Sequence, residues 1–364
     1  MRNISPISST QKNYLPQLDG IRGVAILLVV TFHYFRFIKI FSLGWIGVDL
    51  FFVLSGYLIT SRLYSSRNEK IYFSKFYLNR ALRILPVYYL TLIFFYAGFN
   101  FLLSSKNLPY FSFYNRNWWS FILFFQNWAF INELPPARHL QHFWSLAIEE
   151  QFYIIWPLFL YIFLNKKNIY TILFIVLAAI IIVRCYIYFN NQEFEDYPRY
   201  FYNTFCRMDG FIIGGRLFLI QQKTNLKRIQ FYLLIPFIII VVGVYFTNTT
   251  QSNPFTSTVG YTILALFFAG IINFITINPT SFLSRFFQAG WLKYLGRISY
   301  GLYIYHWLIL LALQSTLTPR LNILLHGKED INNWITLIIS LIASLAISII
   351  SYTYFESYFL KLKK

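Results

Sequence analysis

LDGIRGVAILLVVTFHYF, residues 18–35, reads as a membrane-spanning helix with an arginine at one end and a histidine towards the other. Arg22 and His33 are eleven residues apart. At about 100° per residue that is about three full turns, so both side chains share one face. At about 1.5 Å rise per residue they stand roughly 16 Å apart, about half the hydrocarbon thickness of a bilayer. Imidazole moves protons near neutral pH, and guanidinium holds phosphate in a planar, bidentate fork. The pair therefore suggests a phosphate-bearing ligand near one membrane surface and acid–base chemistry within the bilayer. A bland reading stands beside it: an intramembrane His can hydrogen-bond a neighbour, and an Arg at a helix end can snorkel to lipid phosphates.

Composition sets the fold class. The chain has 364 residues, 57% hydrophobic and 12% charged, whereas a soluble domain carries about a quarter charged residues. This predicts an all-α polytopic membrane protein. Ten spans are expected, near 24–40, 46–61, 84–103, 143–164, 169–189, 203–220, 229–246, 258–277, 298–316 and 334–358. The net charge of +18 does not point to nucleic acid, because Lys and Arg gather in short connections between apolar runs. The acids Glu133, Glu193, Glu195, Asp196, Glu329 and Asp330 fall in the opposite loops, which places both termini in the cytoplasm. The run NWWSFILFFQNWAFI, 117–131, is too short for a comfortable span and is expected to be one interfacial or re-entrant helix. Residues 1–17 form a cytoplasmic tail, 18–360 one membrane domain and 361–364 a basic tail. Neither a cleavable signal peptide nor metal-ligand spacing is evident, and Cys185 and Cys206 stand isolated in spans.

Acids in spans need a reason, since each costs about 2.5–3.5 kcal/mol at the bilayer centre. Asp49, Glu149, Glu150, Asp209 and Glu356 all lie in predicted spans, with Arg184, Arg207 and Arg216 as available partners. Arg207 and Asp209 share one short segment, so their pairing would simply fix helix packing. In HFWSLAIEEQFYIIWP, 142–157, Ser145, Glu149 and Phe152 fall on one helix face, and Glu150 points away from it. Ser145 is equally readable as a helix cap or as a group meeting substrate. The small-residue spot SGYL, 55–58, suits close helix packing. GRISYGLYIYHWLI, 296–309, brings Tyr300, Tyr303 and His306 to one face, which is packing or a second intramembrane histidine site. Arg80 and Arg83 become neighbours if the third helix starts early, and they suit a polyanion such as coenzyme A. Lipid attraction and topology explain most of the other charges in 61–83.

Taken together, LDGIRGVAILLVVTFHY, FFVLSGYLI, the Arg80/Arg83 pair, FWSLAIEEQFYIIWP and GRISYGLYIYHW resemble the bacterial membrane acyltransferase 3 family. The echo YTYFESYF departs from the family, with Tyr358 where a Pro often stands, which weakens any role for Glu356. The chain resembles a stand-alone member without an SGNH-type domain. The resemblance implies an enzyme of the inner membrane. It would transfer an acyl group, usually acetyl, from cytoplasmic acetyl-CoA to a hydroxyl of an extracytoplasmic glycan or lipid-linked saccharide, such as lipopolysaccharide O-antigen or exopolysaccharide. No bound cofactor is implied; acyl-CoA is a substrate. It also implies a catalytic His33, with Ser145 and Glu149 orienting the acceptor or His33, and Arg22, Arg80 and Arg83 on acyl-CoA. Asp19, Ser55, Gly56, Trp144, Tyr153, Tyr300, Tyr303 and His306 are expected to line the site. Direct transfer and a covalent relay through His33 both remain open. The rival reading is a proton-coupled transporter of a small anionic or glycan substrate, since intramembrane His, Glu and Arg also mark carriers.

Overall fold

Proline at the first helical position suits the missing N–H there, and Pro16 opens the first helix, α1, Pro16–Phe35. The computed structural model describes residues 14–103, 112–133, 138–190, 199–223, 254–325 and 329–363. The expected span 229–246 and residues 1–13 lie outside them. The other long helices are α2 Ile46–Ser65, α3 Tyr72–Leu103, α4 Trp144–Phe163 and α5 Ile169–Asn190. They are followed by α6 Asp209–Gln221, α7 Tyr261–Ile277, α8 Gly290–Leu324 and α9 Glu329–Ile350. No strand occurs among the described residues. Seven helical segments among them are long and apolar enough to cross a membrane. The chain is a multi-pass membrane protein.

Two expected spans take a different form. The stretch 203–220 is broken at Met208, giving Thr204–Arg207 and then the short α6. At 13 residues α6 rises only about 20 Å, less than the hydrocarbon thickness. The stretch 298–316 lies inside α8, whose 35 residues reach about 52 Å and so extend well past a bilayer core. Polar side chains such as Lys293, Arg297, Gln314 and Arg320 fill its ends but do not stop a helix. The run 117–131 is two helices, Trp118–Ile122 and Gln126–Asn132, rather than one. The chain turns between them at Phe124, whose φ is 58°. A bulky residue rarely adopts that backbone. Tertiary contacts hold it: the Phe124 ring stacks on Tyr88 at 4.3 Å, and its carbonyl accepts from Gln151 at 2.7 Å.

Helices approach closely where glycines face backbone. A Cβ at Gly20 would stand 1.8 Å from the Phe287 carbonyl oxygen, and one at Gly296 1.9 Å from that of Asp19. These two let α1 lie directly against α8 and the short helix before it. Gly56 of α2 and Gly214 of α6 do the same, each facing the other helix's backbone at 2.0 Å. Gly56 is thus a packing residue, not a lining one. Replacing it with Ala should push α2 from α6 and lower the yield of monodisperse protein several-fold. Gly98→Ala, where a Cβ meets nothing within 4 Å, should not. Equal yields for the two variants would show that the α2–α6 contact is softer than its spacing implies.

The buried ion pairs are crossed relative to expectation. Arg207 does not pair with Asp209, two residues away. Its Nη2 donates to Asp49 on α2 at 2.9 Å, while Asp209 accepts from Arg184 Nη1 on α5 at 2.9 Å. Neighbours at i, i+2 around a helix break point apart, whereas α2 and α5 present carboxylate and guanidinium across the packing interfaces. The pairs tie α2 to the 204–207 turn and α5 to α6 in the buried core.

Candidate active site

Where α1, α2, α3, α4 and α8 converge, one cavity collects most of the polar side chains read from the sequence. Arg22, Ser55, Arg80, Arg83, Ser145, Glu149, Tyr153, Tyr300 and Tyr303 line it, with Ser299 and apolar side chains of α2 and α3. The third helix does start early, at Tyr72, so Arg80 and Arg83 sit one turn apart on it. The Arg80 guanidinium lies 5.0 Å from the Tyr153 ring centroid. Arg22 donates to Asp19, which also accepts from Tyr14 at 2.6 Å. Asp19 therefore holds Arg22 from behind and does not itself line the cavity. Ser55 donates to Glu149 Oε1 at 3.3 Å.

Ser145 is not a helix cap. The cap position of α4 is Phe143, with no side-chain bond to the backbone. The Ser145 hydroxyl meets the Tyr303 hydroxyl at 2.5 Å instead, and Tyr303 also donates to the His142 carbonyl at 2.7 Å. This pair closes the far end of the arginine cavity. Tyr303 and Val48 belong to both that cavity and a second pocket beyond it.

His33 lies beyond this partition. It lines two pockets, together with Arg36 and Trp307 in each, and not the cavity of Arg22. The shared helix face of Arg22 and His33 thus runs through both spaces. Glu149 is not beside His33; the group hydrogen-bonded to it is His306, with His33 Nδ1 and His306 Nε2 2.8 Å apart. His306 is fully buried, and its Nδ1 lies 2.9 Å from the Leu302 carbonyl. A carbonyl only accepts, so the His306 proton sits on Nδ1. Nε2 then carries the lone pair and accepts from His33 Nδ1–H. This leaves His33 Nε2 with a free lone pair, as a general base or nucleophile needs. The Trp307 ring lies 4.7 Å from that of His33.

Trp144 lines the second pocket rather than the arginine cavity. The His33 pockets also hold Arg36, Trp45, Arg138, His142 and Trp307, which helical spacing alone does not single out. His142 was the most legible, because it opens the HFWSL run and sits in the 3-10 turn before α4. Its Nε2 donates to the Ile304 carbonyl at 3.2 Å. Among the described residues no group of three or more His, Cys, Asp or Glu is arranged to hold a metal ion.

Comparison with known proteins adds a family. The family profile described as acyltransferase domain matches residues 15–353. Peptidoglycan O-acetyltransferase OatA of Listeria monocytogenes is 31% identical over 331 residues, covering 86% of this chain and 51% of OatA. YrhL of Bacillus subtilis, named provisionally as a peptidoglycan O-acetyltransferase, is 32% identical over 317 residues, covering 81% of this chain and 48% of YrhL. The chain spans about half the length of these relatives. No solved structure matches it.

Proposed function

The chain belongs to the acyltransferase-domain family, and from that premise we propose that it carries an acetyl group across the membrane from acetyl-CoA to a hydroxyl of a cell-surface glycan. The observation that carries this reading is the pair of adjoining spaces: a cavity with three arginines on one side of Tyr303, and the His33–His306 pair on the other. The first suits an acyl donor with phosphates, the second an acceptor hydroxyl.

In this reading Arg22, Arg80 and Arg83 hold the CoA phosphates by charge-assisted hydrogen bonds. The amide-bearing arm of CoA runs past Ser55 and Glu149 and brings the thioester to the Ser145–Tyr303 partition. The partition must part for the thioester carbon to meet the acceptor. His33 Nε2 takes the proton of the glycan hydroxyl, the oxygen attacks the thioester carbonyl, and the carbon–sulfur bond breaks. The CoA thiolate then regains the proton from His33. Alternatively, His33 Nε2 first accepts the acetyl group and passes it to the glycan. The relatives are named for peptidoglycan, which makes a peptidoglycan hydroxyl the first acceptor to test, ahead of lipopolysaccharide or exopolysaccharide.

The chain is a single membrane acyltransferase unit with the Arg80/Arg83 end in the cytoplasm and the Arg36 end outside. A cysteine at Ser66 should then be labelled by an impermeant reagent only after permeabilisation, and one at Asn333 without it. The reverse pattern would invert the site. The function itself is tested with the purified chain in proteoliposomes, supplying acetyl-labelled CoA on the cytoplasmic side and glycan on the other. Acetyl ester on the glycan supports the reading; glycan or anion movement without any ester would make the protein a carrier instead.

Arg80→Ala and Arg83→Ala should each raise KM for acetyl-CoA about tenfold or more, the effect of losing one charge-assisted contact, with kcat little changed. A fall in kcat at unchanged KM would mean that these arginines act on the reacting centre rather than on the donor's phosphates.

A further inference from the structure

His33 borders two pockets, and it shares that border with Arg36 and Trp307. One pocket, about 430 Å³, is completed by α9 and the later turns of α8. The other, about 360 Å³, is completed by the start of α2, the start of α4 and side chains from 138–142 and 201–207. Each volume is that of a small-ligand site, about 300–1,000 Å³. The His33–His306 hydrogen bond joins α1 to α8, so the imidazole stands at a seam with space on either flank. The two flanks carry the same kinds of group. On the α9 side Gln314, Thr318, Asp330 and Asn333 supply amides, a hydroxyl and a carboxylate beside Trp334. Gln314, Asp330 and Asn333 are exposed. The Trp334 ring is braced by Phe37 at 5.3 Å and Phe35 at 6.0 Å. On the other side the Gln141 amide lies near Trp144, whose ring packs on Phe201 at 4.5 Å. Between them Trp307 donates its N–H to the Arg138 carbonyl at 2.7 Å, so it offers the pockets a ring and not a donor.

We propose that the acceptor is a glycan chain lying across His33 with sugar units in both pockets, so that the acetylated hydroxyl belongs to a unit inside a chain and not to a free monosaccharide or a chain end. The acetyl step rests on the proposed function; the two-sided glycan site does not. A sugar ring has apolar C–H faces, which suit indole and phenyl rings, and hydroxyls around its edge, which suit amides and carboxylates. Each pocket offers both. A lipid tail fits the α9 pocket poorly, because it would set the amides and carboxylate there against hydrocarbon. A single sugar would fill one pocket and leave the polar and aromatic groups of the other unused. A chain uses both, and it must then pass the border formed by His33, Arg36 and Trp307. The chemistry at that border is unchanged. His33 Nε2 takes the hydroxyl proton, the ester C–O bond forms as the thioester C–S bond breaks, and the CoA thiolate regains the proton.

The first test is binding without any acyl donor, so its outcome does not depend on transfer. The whole chain in phosphatidylcholine nanodiscs is titrated with N-acetylglucosamine and with its β-1,4-linked dimer and tetramer. The three are uncharged and built of one unit, so only length differs. Quenching of tryptophan fluorescence reads occupancy, since Trp144, Trp307 and Trp334 line the pockets. The tetramer should bind about tenfold tighter than the monosaccharide, or more, as two further hydrogen bonds give. A gain no larger than about fourfold overturns the proposal, because four units offer a single subsite four registers without any new contact. No measurable affinity for the tetramer overturns it as well. Gln314→Ala combined with Asn333→Ala, at two exposed positions of the α9 pocket, should cut the gain several-fold. An undiminished gain in the folded variant overturns the proposal, and the length comparison stands on the unmodified protein if the variant fails to fold. The second test adds acetyl-CoA and locates the ester on the tetramer by fragmentation mass spectrometry. Ester on interior units is expected. Ester confined to the terminal units overturns the proposal and leaves acetyl transfer intact, whereas a length gain with no ester refutes acetyl transfer and leaves the two-sided glycan site.

Discussion

His33→Gln protein should insert and fold at normal levels and lose acetyl transfer by about 10²–10⁴-fold, the usual effect of removing a general base. Gln keeps the size and hydrogen-bonding capacity of the imidazole but moves no proton at neutral pH. Its amide can still reach His306 Nε2, so the buried histidine keeps a donor and the α1–α8 contact survives. The loss therefore reports chemistry and not packing. His306→Ala makes the companion case. It removes the acceptor that holds the proton on His33 Nδ1, so kcat should fall with KM for acetyl-CoA unchanged, and His306→Gln should recover part of it. The assay is acetyl ester formed on glycan per folded protein, with folding read by size-exclusion profile. Near wild-type turnover by folded His33→Gln protein would remove His33 from the mechanism and leave the Ser145–Tyr303 pair as the reacting centre.

The helical spacing of a single stretch was enough to place several polar groups. Ser145 and Glu149 are one turn apart on α4, Arg80 and Arg83 one turn apart on α3, and each pair does open on one cavity. Period and hydropathy fix which face a residue occupies, and a charged group in an apolar helix must turn inward. Identity of partners is a different matter. His33 meets His306 across 273 positions and Asp49 meets Arg207 across 158. Nothing local selects those pairs over Arg207 with Asp209. They follow from glycines that let α1 reach α8 and α2 reach α6, whose effect appears only once the helices are assembled. The same limit hid the partition: Tyr303 was legible as one of a tyrosine stripe, but its bond to Ser145, which separates Arg22 from His33, joins α8 to α4. The two short helices of 118–132 were legible as non-spanning from their length. Their break was not, because Phe124 is held in its strained turn by Tyr88 and Gln151 from elsewhere in the chain.

Arg184→Met should do what His33→Gln does not, and destabilise the fold. Arg184 is fully buried on α5 and donates to four oxygens. Its Nε reaches the Thr258 carbonyl at 2.6 Å, Nη1 reaches the Cys206 carbonyl and Asp209 Oδ2 at 2.9 Å each, and Nη2 reaches the Thr262 hydroxyl at 2.5 Å. Met fills a similar volume but leaves the Asp209 carboxylate, 3% exposed, with only the Thr262 hydroxyl at 2.6 Å and the Gly210 N–H at 3.0 Å. An uncompensated buried charge costs about 3–5 kcal/mol. That is a large share of the stability of an ordinary fold, and for a chain of this length it corresponds to a fall in Tm of about 4–7 °C. The double variant Arg184→Met, Asp209→Asn removes the stranded charge and should regain a substantial part of the loss, because two neutral groups in a low-dielectric site cost far less than one unpaired ion. Retention of the monodisperse peak after heating in detergent measures both. If Arg184→Met melts within about 1 °C of wild type, a shift worth under about 1 kcal/mol for a chain of this length, the pair carries little of the fold and α5 is held by its apolar face alone. If the double variant is no better than the single one, the damage lies in the lost carbonyl bonds that tie α5 to the 256–260 turn before α7 and to the 204–207 turn, and not in the charge.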